Sequence, residues 1–219
     1  MLPAVFGSAV YQINMIIVTL LASFLAEGSV SYLYYADRLV QFPLGIFAIS
    51  MSVAILPTLS RQAESMDMHA LTNTFSYAIK LIFFITIPAM TGLIVLRHPI
   101  VALLFERGAF DPVSSRLTAD ALMYFSFGLW AFSAVRIVVS TFYALQDTKT
   151  PVKIAAISVF ANIVLCLTLM KPLAHAGLAL AASISSMLNF ILLAMALRKK
   201  LGPLGGKKII ESISKSVVC

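Results

Sequence analysis

Few side chains in this sequence could do chemistry, and the most suggestive are charges set inside apolar runs. Asp37 and Arg38 are adjacent, follow Tyr32, Tyr34 and Tyr35, and precede an uncharged stretch from Leu39 to Ser60. Arg136 lies inside a second apolar run, about nine residues from its end, or ~13 Å along a helix. Burying a charge in lipid is costly, so an ionisable side chain at that depth is a candidate for binding or transport. Two accounts compete at Arg38. In one, Asp37 and Arg38 face a polar cavity, and Pro43 and Gly45 just downstream loosen the helix and expose backbone polar groups. In the other, Arg38 anchors the helix at the interface with the three tyrosines, because Leu39–Leu59 alone is long enough to span. Arg136 is open in the same way, between substrate contact and a structural cation that snorkels or pairs with a neighbouring helix. Lys80 and Asp120 lie near run ends, where snorkelling explains them. Gln12, Asn14, Asn162 and Asn189 have the character of interhelical hydrogen-bond glue.

Nothing in the chain points to bond-making chemistry. There is no GxGxxG, P-loop, HExxH or nucleophile elbow. His69, His98 and His175 all lie in or beside predicted loops and form no ligand cluster, and Cys166 and Cys219 have no disulfide or metal-ligand spacing. The expected function is therefore not enzymatic and needs no cofactor. A pI of about 9.6 raises the question of nucleic acid, but the cations flank membrane spans, and no nucleic-acid partner is expected.

The elements that carry these residues follow from composition. Of 219 residues, 60% are hydrophobic and only 11% charged, with a mean hydropathy of +0.97. A soluble domain carries about 25% charged residues to cover its surface, so this surface faces lipid. The fold class is all-α, a polytopic membrane protein. Six apolar runs each approach or exceed the ~20 residues that cross a bilayer, with spans at about 4–26, 31–60, 75–96, 117–145, 152–171 and 174–197. Residues 1–198 form this six-helix unit, and 199–219 form a basic tail that leads into the start of a further, truncated helix. Met1–Leu25 lacks a basic leading segment and carries Gln12 and Asn14, so it reads as a span rather than a signal peptide.

Lys and Arg set the orientation. Ten of them fall on the side shared by the termini, four on the other, and the remaining two are Arg38 and Arg136. The positive-inside rule then places both ends of the chain in the cytoplasm. Asp147-Thr148-Lys149-Thr150-Pro151 reads as a cytoplasmic turn with a Thr cap and Pro at the first helical position. Phe105 to Pro112 is a turn signal in the longest external loop, and Ile100–Phe105 before it is too short to span and reads as interfacial.

Several segments together resemble the MurJ/MviN lipid II flippases. They are Gly7-Ser8-Ala9-Val10-Tyr11-Gln12-Ile13-Asn14 with Thr19 to Leu25, Gly28 to Ser31, Leu33-Tyr34-Tyr35-Ala36-Asp37-Arg38-Leu39, Pro43-Leu44-Gly45 and Leu56-Pro57. Leu104 to Phe110 and Phe142 to Lys153 complete the set. The resemblance implies a member of the multidrug/oligosaccharidyl-lipid/polysaccharide exporter superfamily, whose flippases have about fourteen helices in two lobes around a central cavity. This chain would be helices seven to twelve, the body of the second lobe, and the start of helix thirteen. Family helix seven begins in the cytoplasm, which agrees with the orientation read independently from Lys and Arg.

The resemblance also implies roles. The Arg of Tyr-Ala-Asp-Arg-Leu, here Arg38, faces the cavity and serves the anionic lipid-linked substrate, and a guanidinium fork suits a pyrophosphate. Sodium-binding members carry carboxylates where this chain has Val18 and Cys166; Asn162 matches the remaining side-chain ligand, so no metal is expected. The implied partners are lipid II, membrane lipid and the missing first lobe, in a bacterial inner membrane. Another polyprenyl-linked oligosaccharide, such as an O-antigen or exopolysaccharide carrier, is the nearest alternative substrate. A non-transporting scaffold is another alternative. A membrane enzyme acting on polyprenyl phosphates would need clustered carboxylates or His at a membrane face.

Overall fold

A computed structural model of the chain describes residues 16–202, and every regular element among them is a helix. Residues 16–23 (α1) are helical, and the chain turns at 24–28. Gly28 makes that turn at φ 88, with Tyr32 folded so close that a Cβ at 28 would meet its hydroxyl at 2.5 Å. Helix α2 (Ser29–Pro43) continues through a π-helical segment, Leu44–Ile49, into α3 (Ser50–Glu64). Together these make a 36-residue apolar run. Helices α4 (Met68–Val95) and α5 (Arg97–Phe105) follow, then α6 (Pro112–Phe127), α7 (Leu129–Ala144) and α8 (Lys149–Leu201). Gln12 and Asn14, the first fifteen residues, and the tail beyond 202 lie outside the described residues.

Three helical runs are long and apolar enough to cross a bilayer: 29–64, α4 and α8. Two departures from the expected spans have clear causes. The single span expected at 117–145 is two helices, α6 and α7, bent by 43°. Gly128 sits at the bend, where a Cβ would meet the Ser183 hydroxyl at 2.6 Å and the Ser183 backbone at 2.9 Å. Bending removes the Gly128 N–H from the Tyr124 carbonyl, and the Ser183 hydroxyl donates to that carbonyl at 2.6 Å instead. The spans expected at 152–171 and 174–197 run together as α8, broken only at Ala174, where φ 48 and ψ −131 leave helical space. The two halves fold back on each other. Ser185 donates to the Ser158 carbonyl at 2.6 Å. Gly177 lies so near Leu169 that a Cβ would be 2.2 Å from its carbonyl oxygen.

Boundaries also move. The span expected at 75–96 begins at Met68, because Asp67 accepts from the Ala70 N–H at 2.9 Å and starts the helix early. The span expected at 31–60 runs from Ser29 to Glu64. At the α7–α8 turn Thr148 holds the N-cap position, but the side chain that bonds the helix start is Asp147. Its carboxylate accepts from the Thr150 N–H at 3.0 Å and the Thr150 hydroxyl at 2.7 Å, and Pro151 is the third helical residue rather than the first.

One end of the bundle gathers Leu59, Leu71, Ala144, Leu145 and Leu201, where Lys200 pairs with Asp147. The other end gathers the 24–28 turn, the 105–111 loop and the Ala174 break. There Tyr32 stands edge-on to His175, with ring centroids 5.5 Å apart. His175, expected beside a loop, is 93% buried, and its Nε2 donates to the Leu117 carbonyl at 2.9 Å. Between these ends, Phe83, Trp130 and Phe190 meet edge-to-face at 5.7–6.1 Å and tie α4, α7 and α8 together. Buried hydroxyls of Thr86, Ser126, Ser133, Thr141 and Ser158 bond back to carbonyls four residues earlier, so they enter an apolar interior without an unpaired donor.

Candidate functional site

The site begins with one face of α2. At 100° per residue, Ser31, Tyr34, Arg38 and Phe42 share a stripe, and all four are exposed. The opposite stripe, Leu33, Ala36, Val40 and Pro43, is buried against the bundle. Arg38 lies nine residues into the helical run, ~14 Å from its start. Its guanidinium stands over the Tyr34 ring, 4.7 Å from the centroid. Asp37, half-buried beside it, accepts from Gln41 Nε2 at 2.7 Å. The result is a cation held over an aromatic face, next to a hydrogen-bonded carboxylate, on the exposed side of α2. Among the described residues no acceptor takes an N–H of Arg38, so its fork can still engage an anion.

The backbone beneath supports this. Immediately after Pro43 the helix widens into the π-helical segment Leu44–Ile49. Proline has no N–H to give the preceding turn, and the Ser50 hydroxyl reaches the Gly45 carbonyl at 3.4 Å across the widened turn. Pro43 and Gly45 therefore loosen the helix as their types suggest, but they widen it rather than break it. π-Helical insertions of this kind occur often at functional sites.

Of the candidate residues, the structure brings Asp37 and Arg38 together and leaves Arg136 apart. Arg136 is exposed on α7, and no hydrogen bond or ion pair holds it among the described residues. The three tyrosines that could form an interfacial belt each engage within the protein: Tyr32 with His175, Tyr34 with Arg38, and Tyr35 with Phe105 and Phe110. Gln41 and Tyr34 are site residues that the sequence alone did not single out. Both stand four residues from a charged partner, the spacing that makes helical neighbours.

The second candidate cluster does not fit a cation. Asn162 is buried on α8, and the Cys166 thiol lies 3.8 Å from its Oδ1. Val18 on α1 packs against the apolar core. A thiol and an isopropyl group supply none of the hard oxygens that a sodium ion needs, and the described residues hold no group of three acidic, His or Cys side chains suited to a metal.

The family model described as "Lipid II flippase MurJ" matches residues 1–219. A probable lipid II flippase MurJ of Vibrio cholerae is 42% identical over 193 residues, 88% of this chain and 37% of that protein. A solved lipid II flippase MurJ in an inward closed conformation superposes with a TM-score of 0.84 at 31% identity, covering 97% of this chain and 44% of that one. An outward-facing multidrug transporter of the MATE family, at 13% identity and a TM-score of 0.79, shares the fold. The chain thus spans about 40% of the length of the relatives it matches. Long apolar helices and this match over the whole sequence make it a multi-pass membrane protein, and the chain belongs to the lipid II flippase MurJ family.

Proposed function

We propose that this chain is the second-lobe wall of a flippase that carries lipid II from the cytoplasmic to the outer leaflet of a bacterial inner membrane. The observation that carries the reading is the exposed Arg38 guanidinium, ~14 Å into an apolar helix and flanked by Tyr34, Asp37 and Gln41. Lipid offers such a charge nothing, so this face is turned to a polar cavity shared with the first lobe. In this reading the chain makes six crossings at the spans expected from the sequence, and among the described residues three helical runs are long and apolar enough to cross, with the bent pair α6 and α7 a fourth. Both ends of the chain lie in the cytoplasm, on the side that carries ten of the sixteen Lys and Arg. The loops sort onto the two ends of the bundle as this topology requires.

The chemistry is recognition alone. The head group enters the cavity from the cytoplasm, and Arg38 holds its pyrophosphate through paired N–H···O bonds. Asp37, oriented by Gln41, balances the guanidinium when the site is empty. The polyprenyl tail stays in lipid while the lobes rock to open outward. No bond is made or broken, and no sodium ion is assigned to the Asn162 position.

The test is a full-length chimera in which this chain replaces the matching segment of the Vibrio cholerae relative. Arg38→Ala should abolish rescue of a flippase-depleted strain at normal protein level. Arg38→Lys should rescue only partly, because an ammonium keeps the charge and loses the fork. Asp37→Asn, alone and combined, separates loss of the cation from an unpaired carboxylate. Growth of Arg38→Ala at normal abundance overturns the reading. Loss of a surface polymer with intact peptidoglycan would assign the other lipid-linked saccharides instead. Expressed without a first lobe, the chain should fail to rescue. Impermeant thiol labelling at the exposed positions Ala26→Cys and Ala109→Cys, but not at Thr148→Cys, checks the orientation.

A further inference from the structure

We infer that Phe105, at the end of α5, and Phe110, in the loop before α6, are positioning residues for Arg38, acting through two tyrosines. The inference rests on the substrate-facing reading of Arg38 given above. They lie in the segment Leu104 to Phe110, the last turn of α5 and the loop after it, and nothing in the proposed recognition step uses it. The contacts form an unbroken chain. The Phe105 ring lies 4.7 Å from Tyr35 and the Phe110 ring 5.4 Å from it. Tyr35 meets Tyr34 edge-on at 5.9 Å, and Arg38 stands over Tyr34 at 4.7 Å.

The loop is built to close on Tyr35 from two sides. The Arg107 N–H bonds to the Phe105 carbonyl at 2.8 Å and the Phe110 N–H to the Arg107 carbonyl at 3.2 Å, with Gly108 at φ 61 making the reversal. The two phenylalanine rings therefore face the same tyrosine, 6.2 Å from each other. Rotating Tyr35 would turn the edge it presents to Tyr34, and the Tyr34 face is the surface that holds the guanidinium. Geometry on α2 agrees, because Arg38 projects between the directions of Tyr34 and Tyr35, one turn along.

The clamp also has room to release. Tyr35, Phe105 and Phe110 are half-buried and line a cavity of about 470 Å³ with Ser31, Tyr32 and Arg107. Core rings such as Phe83, at 3% exposure, have no such space. A loop that swings into or out of this cavity changes the grip on Tyr35 and, through Tyr34, the pose of the arginine fork. A binding group displaced by about an ångström loses much of its effect, on the order of tenfold or more.

The experiment uses the full-length chimera with fluorotyrosine at position 34 and reads its fluorine resonance without substrate. Phe110→Ala and the volume-keeping Phe110→Leu should both shift that resonance, while Leu103→Ala, exposed on the neighbouring α5, should not. Flipping by Phe110→Ala should fall about tenfold at normal abundance, and Phe110→Tyr, which keeps a ring, should stay within about twofold. Phe110→Ala combined with Arg38→Lys should be no slower than Arg38→Lys alone, because both changes act on the same fork. An unmoved resonance in Phe110→Leu, or losses that multiply in the double variant, would overturn the inference. If Arg38→Ala transports normally, the substrate reading falls, while the fluorine resonance still decides whether the rings set the pose of Tyr34.

Discussion

Helix α2 and the second half of α8 cross the same lobe and are built in opposite ways. On α2 the exposed stripe carries Tyr34, Arg38 and Phe42, large side chains with one charge among them. From His175 to Ser186, α8 is mostly buried and built largely of Ala, Gly and Ser. Between helices in lipid there is little hydrophobic gain in association, so stability comes from close backbone approach and interhelical hydrogen bonds. Small residues serve that purpose on α8, with Gly177 on Leu169, Ser183 on Tyr124 and Ser185 on Ser158. Large polar residues on α2 serve none of it. One helix holds the lobe together, and the other presents chemistry that the lobe does not need for folding.

That division can be broken by experiment, beginning where the effect is largest. Gly177→Ala forces a methyl against the Leu169 carbonyl, which a backbone cannot yield without opening the α8 hairpin. A loss of about 3 kcal/mol is expected, read as a lower denaturant midpoint in detergent or as lost expression. A variant as stable as the parent would mean that α8 does not hold the lobe. Ser183→Ala leaves the Tyr124 carbonyl buried at the α6–α7 bend without its donor, for a loss of about 1–2 kcal/mol.

Asp147 comes next. Its partial burial works to raise the carboxyl, but hydrogen bonds from Lys200 and Thr150 outweigh that and hold it at about 2, against an ordinary 3.8. A carboxyl lowered by folding stabilises the fold above the unfolded value and loses that contribution as pH falls from about 4 toward 2. Asp147→Asn should cost ~1 kcal/mol at neutral pH, through the weakened cap and the lost pair with an exposed lysine. Its melting temperature should also fall less than the parent's between pH 5 and pH 2.5. Parallel curves would remove the carboxylate from the account.

The smallest expected changes sit at the hairpin break and on α2. Ala174 holds φ 48, a conformation that favours glycine, so Ala174→Gly should stabilise by roughly 0.5–1 kcal/mol. Arg38→Ala, which removes only an exposed contact with the Tyr34 ring, should move unfolding by less than about 0.5 kcal/mol while transport by the chimera is lost. A large destabilisation there would erase the contrast between the two helices.

Much of this was legible in the sequence, and the failures share a cause. Length and hydropathy gave an all-helical membrane protein, because apolar runs of that length have few other uses. They could not mark the bend at Gly128, since the apolar run continues through it and the bend is fixed by Ser183, far along the chain. The start of α4 at Met68 was hidden because its first turns are polar, although Asp67 is a readable cap. Within the site, Asp37 with Gln41 and Tyr34 with Arg38 follow from a spacing of four on one helix. The grip of Phe105 and Phe110 on Tyr35 does not, because those residues lie some seventy positions apart and only the fold brings them together.

The π-helical segment Leu44–Ile49 has a consequence for how this helix tolerates change in length. A wider turn accommodates one residue more than an α-turn, so α2 and α3 are two helices out of phase by that residue. Deleting one residue within 44–49 would let the ladder close as a continuous α-helix and keep both flanking faces in their present directions. The same deletion in α2 or α3 would instead turn everything beyond it by about 100° relative to Arg38. Single-residue gaps in related chains should therefore be tolerated within this segment and damaging a turn to either side.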